Sequence, residues 1–244
     1  MKFNYDQFGQ QYSGQRRTDP RIAALVNQTL GNAQTVLNVG AGAGSYEPAD
    51  RYVIAVEPSI TMRSQRKTPA VIGTADSLPF DDQAFDASMA MITIHHWPDI
   101  RQGLLEVKRV TRNTVVIMTV DPDKLDTFWN AEYFHEVIEV ERRRYPPLDL
   151  VTNALGGNCD IIPVPIPIDC VDGFQEAYYA RPEAFLNPEV RKAQSAWGFV
   201  EDHGPIVKRL ADDLESGKWD EKYGHFRTQP EFVGALRLIV ARFL

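Results

Sequence analysis

Cysteine is scarce in this chain. Cys159 and Cys170 are the only two, too few for a disulfide framework or a cysteine-built zinc site, and no metal is expected. Positive charge is also short. Lys and Arg number 26 against 33 Asp and Glu, so the net charge is −7 and no global basic field draws nucleic acid. No apolar run approaches the roughly 20 residues of a membrane-spanning helix. The opening Met1-Lys2-Phe3-Asn4-Tyr5-Asp6 lacks the apolar core of a secretion signal, so a cytoplasmic location is expected, with no membrane and no nucleic-acid partner. Internal repeats and disordered linkers are missing too. The remaining composition, 43% hydrophobic and 24% charged over 244 residues, suits one large α/β domain with a well-buried core.

What is present is organised around residues 35 to 46. Val36 to Val39 is a short apolar run rich in β-branched residues and stopped by glycine, which predicts a buried strand. Gly40, Gly42 and Gly44 then alternate with Ala41 and Ala43, so the backbone turns sharply and a ligand can lie against the main chain. In an open α/β sheet that place is the carboxyl end of the first strand, where nucleotide-like ligands bind. A dinucleotide site wants Gly-x-Gly-x-x-Gly, but Ser45 stands where its third glycine would be.

The rest of the chain supports an α/β reading. Phe8 and Tyr12 share a helical face near Arg16. Asp19-Pro20 opens a helix with an apolar stripe at Ile22, Leu25, Val26 and Leu30. After the glycine turn, Pro48 and Asp50 leave room for only a short helix. Tyr52 to Val56 is predicted as the second strand, with Glu57 at its end, 17 residues after Gly40 and near the roughly 20 expected of a ribose-binding acid. Val71-Ile72 is predicted as a short third strand, Phe85 to about Ile92 as the fourth, and Thr114 to Val120 as the fifth. Leu125 to Arg144 reads as one helix with a basic end. Three prolines make Ile161 to Pro167 an edge strand or extended segment. Ala235 to Arg242 reads as the last strand. A single domain over 1–244 is expected, with an N-terminal cap segment of about 1–30 and an inserted cap of about 124–232.

Four stretches resemble, in order, the motifs of class I S-adenosylmethionine-dependent methyltransferases of the bacterial methyltransferase type 11 group. They are the glycine turn, Glu57, the segment Gly73-Thr74-Ala75-Asp76-Ser77-Leu78-Pro79-Phe80, and His95-His96-Trp97. The resemblance implies a Rossmann-like doubly wound α/β sheet of order 3-2-1-4-5-7-6 with an antiparallel last strand and a helical cap. It implies S-adenosyl-L-methionine as cofactor and a small-molecule acceptor. Cofactor contacts are implied at Asn38, Gly40, Ala41, Gly42 and Gly44, at Glu57, Pro58 and Ser59, at Thr74, Ala75 and Asp76, and at Met91. Asn38 departs from the usual Asp or Glu of the family, and Thr74 from its usual adenine-binding Asp. Glu106 and Arg109 match the family's Glu-x-x-Arg-Val.

Such a cofactor brings its own electrophile, so the protein chiefly aligns an acceptor for in-line displacement. His95, His96 and Asp169 are the candidate catalytic groups, the histidines because imidazole titrates near neutral pH unless perturbed. Tyr12, Arg16, Trp97, Asp172 and Phe174 are the candidate acceptor-binding residues, with Trp97 and Phe174 as walls. Two other readings stay open. One is a nicotinamide-dependent oxidoreductase, opposed by the missing third glycine and by the 73–80 segment. The other is a protein that binds the cofactor without transferring methyl.

Overall fold

Alternation along the apolar runs sorts their side chains to two faces of one sheet. The structure, a computed structural model, describes residue 6 and residues 12–156 and 158–243. Its main elements are α1 (Pro20–Thr29), β1 (Thr35–Val39), β2 (Tyr52–Val56), α2 (Ile60–Ser64), β3 (Phe85–Met91), α3 (Ile100–Val110) and β4 (Thr111–Val120). There follow α4 (His135–Arg144), α5 (Leu148–Leu155), β5 (Cys159–Pro163), β6 (Ile166–Pro167), α6 (Gly204–Glu215), β7 (Glu231–Phe232) and β8 (Leu236–Arg242). The six-stranded sheet runs β2-β1-β3-β4-β8-β5, and β6 and β7 form a separate two-stranded ribbon. The pairs among β2, β1, β3 and β4 are parallel, whereas β8 lies antiparallel between β4 and β5.

On one face Leu37, Val39, Val115, Ile117 and Ile239 pack with Leu104 and Val107 of α3 and Val151 and Leu155 of α5. On the other, Val36, Met89, Val116, Met118 and Val240 pack with Ile22 and Val26 of α1. That second cluster continues into an aromatic core in the insertion between β4 and β8, around Trp129, Phe134, Phe185, Trp197 and Trp219. Trp129 is fixed there by its indole N–H, which donates to the Tyr179 carbonyl at 2.7 Å.

Several expectations change. The third strand shrinks to one parallel bridge between Val56 and Val71; Ile72 beside it is exposed. No helix follows the glycine turn: residues 40–51 are turns and bends. Tyr46 there takes φ 64° and is buried, its N–H donating to Thr18 Oγ1 and its hydroxyl to Asp172, contacts a helical path would not make. The single helix expected over Leu125–Arg144 is broken. Asn130–Tyr133 and α4 are separate, because Phe134 leaves helical geometry to bury its ring 4.9 Å from both Phe185 and Trp197. Phe8 lies outside the described residues, as does the Tyr12 side chain.

Asp19 ties α1 to the insertion. It caps α1 by accepting from the Arg21 N–H at 3.0 Å, binds the Arg21 guanidinium, and accepts from the Val171 N–H at 3.2 Å. Burial opposes its charge, but these bonds prevail and hold its carboxyl down at about 2. A depressed carboxylate stabilises the fold above its unfolded pKa, and that stability is lost as pH falls through the folded value. Asp19→Asn should therefore cost about 2 kcal/mol at pH 5, with the gap to the parent narrowing by about half at pH 3. Urea unfolding across that range measures it. A gap that does not change with pH would show that the charge contributes nothing.

Candidate functional site

The glycine turn follows from how tightly β1 leaves the sheet. The N–H groups of Gly40 and Ala41 both donate to the Val56 carbonyl, at 2.9 and 3.0 Å. Gly40 has φ 66°, and a Cβ on it would lie 2.3 Å from Thr93 Oγ1. Behind the turn, Arg66 pairs with Glu47 at 2.7 Å and reaches the carbonyls of Ala41 and Gly42. Glu47 also accepts from Asn38 Nδ2 at 2.9 Å.

At the carboxyl ends of β1, β2 and β3 this leaves a cavity of about 340 Å³. Asn38, Gly40, Ala41, Gly42, Glu57, Pro58, Ser59, Thr74, Ala75 and Met91 all line it, as do Arg16, His96 and Trp97. Gly44 and Asp76 do not. Glu57 is buried and bridges two loops: Oε2 accepts from the Gly42 N–H at 2.8 Å and Oε1 from the Ser59 N–H at 2.9 Å. Burial pushes its carboxyl above the usual range despite those bonds. Each oxygen keeps a further lone pair for a ligand hydroxyl. Asn38 Oδ1 is buried without a hydrogen-bond partner. The 73–80 segment is fixed from outside by Glu106, which accepts from the Leu78 N–H, and by Arg109, which donates to the carbonyls of Leu78 and Phe80. Residues not singled out in the sequence also line the cavity: Asp6, which accepts from the Ser59 hydroxyl at 2.6 Å, together with Met62, Ile92 and Thr93.

A second cavity of about 60 Å³ shares Arg16, Ile92 and His96 with the first. Phe174 and His95 line it. Trp97 and Asp169 do not. Trp97 packs over Gly103, where an added Cβ would lie 2.5 Å from its ring. Asp169 is exposed, pairs with Arg21 at 2.6 Å and lines neither cavity, whereas His96 lines both and His95 the smaller one. Asp172 is buried behind the cavities, where it accepts from Arg16 at 2.7 Å and from the Tyr46 hydroxyl at 2.8 Å.

Burial and neighbouring cations favour the neutral form of both histidines. Burial and the Arg144 and Arg16 guanidinium groups push His96 down to about 3. Burial drives His95 well below its usual value too, with His96 and Arg144 adding to it. Arg144 Nη2 lies 3.2 Å from His96 Nδ1. Arginine has only donors, so Nδ1 accepts and the ring proton resides on Nε2. His96 is therefore a neutral donor, correcting the expectation of a group that titrates near neutrality. The responsible arginine was legible only as helix-end charge in the run 142–144. In the structure Arg144 turns inward to His96, to Ser195 at 3.0 Å and to Glu141 at 3.7 Å.

A mixed sheet whose parallel strands β1, β2 and β3 end at a ligand-sized cavity, with a glycine turn against that cavity, defines a nucleotide-type binding fold. Residues 37–119 match a family model described as "Methyltransferase domain". The solved structure of a protein from Anabaena variabilis ATCC 29413, described as a candidate methyltransferase from an antibiotic biosynthesis pathway, is 30% identical, with a TM-score of 0.87 over 95% of this chain and 100% of that one. The chain belongs to the S-adenosylmethionine-dependent methyltransferases, in the type 11 group. It is also 33% identical over 100 residues to an uncharacterized methyltransferase of Bacillus subtilis, YcgJ, covering 35% of this chain and 40% of that protein. A third relative, the uncharacterized protein YafE of Escherichia coli, is 32% identical over 94 residues, covering 38% of this chain and 44% of the other. The chain thus spans less than half the length of these two curated relatives.

Membership implies S-adenosylmethionine as cofactor. The larger cavity fits it chemically: Asn38 Oδ1 is an unpaired buried acceptor suited to an ammonium group, and Glu57 holds spare lone pairs for a diol.

Proposed function

We propose that this protein transfers the methyl group of S-adenosylmethionine to a small-molecule acceptor by in-line displacement. The observation that carries the reading is the larger cavity itself, in which the glycine turn, Glu57 and the Thr74-Ala75 pair converge with the unpartnered Asn38 Oδ1. Bound S-adenosylmethionine supplies an electrophilic methyl group on a sulfonium centre. Glu57 would hold the ribose hydroxyls, Thr74 and Ala75 the adenine edge, and Asn38 the amino group. The net charge of −7 suits a cationic ligand. Catalysis then rests mainly on alignment, which contributes up to about 7–11 kcal/mol when geometry is well fixed. His96, which lines both cavities, would help position an acceptor oxygen or nitrogen at their border. The pathway attributed to the Anabaena relative supports a small natural-product acceptor.

Titration calorimetry with S-adenosylhomocysteine and with NAD is the first test. Micromolar binding of the former with no heat from the latter is expected; the reverse would move the protein to the oxidoreductases. Release of S-adenosylhomocysteine on incubation with an acceptor library distinguishes an enzyme from a cofactor-binding protein.

A further inference from the structure

We infer that the smaller cavity receives the reacting end of the acceptor, and that this end is a compact, uncharged group offering both hydrogen-bond donors and acceptors, such as a hydroxyl beside a carbonyl or amide. The inference rests on the methyltransferase reading and names the substrate class of that site.

Unpaired polar atoms carry it. Among the described residues, 17 buried side-chain nitrogen and oxygen atoms lack a hydrogen-bond partner, and six of them belong to residues lining this one 60 Å³ space. They are His95 Nδ1, Asn130 Oδ1, Gln175 Nε2, Oε1 and Nε2 of Gln194, and Glu141 Oε2, which has an ion pair with Arg144 at 3.7 Å but no hydrogen bond. Each such atom is destabilising when left unsatisfied. Six around one small space therefore mark a place where a ligand completes the hydrogen bonds. They come from separate segments: His95 follows β3, Asn130 and Glu141 come from the helices after β4, and Gln175 and Gln194 come from later in the insertion. What they have in common is that their residues all line this cavity.

The mixture defines the ligand. Asn130 and Gln194 offer carbonyl oxygens, which call for hydroxyl or N–H donors. Gln175 and Gln194 offer amide N–H groups, which call for an acceptor. Fixed charge is balanced: Arg144 lies 3.7 Å from Glu141, Arg16 is paired with Asp172, and both oxygens of Glu176 are taken by the N–H groups of Ala235 and Leu236. With each of these charges already partnered, the space favours an uncharged group over an anion or a cation. Phe128, Phe174 and Leu125 supply the apolar wall.

Position links this space to the chemistry. His96, Ile92 and Arg16 face both cavities, so a group in the smaller one abuts the larger. Ile92 is held at φ 50°, unusual for a β-branched residue, with its N–H donating to the Met118 carbonyl at 2.8 Å. Backbone strain of this kind persists where surroundings enforce a working geometry.

The test uses the full chain saturated with S-adenosylhomocysteine, and salicylamide as probe, with toluene, benzoate and benzylamine as apolar, anionic and cationic controls. Calorimetry should show saturable salicylamide binding at least tenfold tighter than any control. Gln194→Leu and Asn130→Leu should each weaken salicylamide at least tenfold, keep S-adenosylhomocysteine affinity within twofold, and hold or raise Tm, because each removes an unpaired buried group. Normal S-adenosylhomocysteine binding with no salicylamide binding overturns this inference and leaves the methyltransferase reading standing. Failure to bind S-adenosylhomocysteine overturns both. A Tm drop of several degrees in both variants with salicylamide binding intact shows a water-filled structural cluster and also overturns the inference.

Discussion

Glu57→Ala should lower the affinity for S-adenosylhomocysteine by about two to three decades. The carboxylate does two things at once. It joins the glycine turn to the start of α2 through the Gly42 and Ser59 N–H groups, and in the proposed function its remaining lone pairs would accept from the ribose. Charge-assisted bonds contribute about 1.5–3 kcal/mol each, and every 1.4 kcal/mol is tenfold in affinity. Losing two ribose bonds accounts for the effect. The stranded amides, each costing about 1–3 kcal/mol, add a drop in Tm. Glu57→Gln separates the parts, since one amide oxygen still accepts while the NH₂ opposes a backbone N–H; an intermediate loss is expected. Normal binding by a folded Glu57→Ala protein would remove Glu57 from ribose recognition.

Gly40→Ala should be the most damaging substitution of a glycine in the turn, destabilising the protein by at least about 3 kcal/mol. Two causes add. Left-handed backbone costs an alanine roughly 1–2 kcal/mol, and the new Cβ would stand 2.3 Å from Thr93 Oγ1 and 3.0 Å from its Cγ2. Gly42→Ala shares only the first cause, because its Cβ meets Met62 Cε at 3.4 Å. Thr93→Ala removes the two closest atoms. A double-mutant cycle between Gly40→Ala and Thr93→Ala should therefore show a favourable coupling of about 1 kcal/mol or more. Denaturant unfolding of the four proteins gives the result, and simple additivity would mean the contact at Thr93 is relieved by backbone movement.

The cofactor side of the site was legible because its signals are local. A glycine turn after a β-branched run, an acid ending the next strand and the 73–80 segment each state their place within a few residues. The smaller cavity was not. Asp169 read as a candidate because it neighbours Asp172 and Phe174, yet it faces solvent beside Arg21. Asn130, Glu141 and Gln194 gave no signal, because nothing near them in the chain shows that they meet across 64 positions of sequence. The helix break at Phe134 was equally hidden. Periodicity favoured one continuous helix, and only packing against Phe185 and Trp197 decides otherwise. The third strand failed for the opposite reason: Val71-Ile72 has the right residues, but the chain makes just one bridge to Val56 before turning away.

Asp172 accepts hydrogen bonds from Tyr46 in the loop that replaces the expected helix and from Arg16 before α1, while its own backbone belongs to the insertion. One carboxylate thereby joins the loop beside the larger cavity to a side chain that faces both cavities. The two cavities consequently share a mechanical element, and ligands bound in them would not be thermodynamically independent if either shifted Arg16. Reciprocity then requires that the factor by which an acceptor alters cofactor affinity equal the factor by which the cofactor alters acceptor affinity. The coupling factor between the two cavities, measured from either ligand, is then a single number set in part by how firmly this carboxylate holds Arg16.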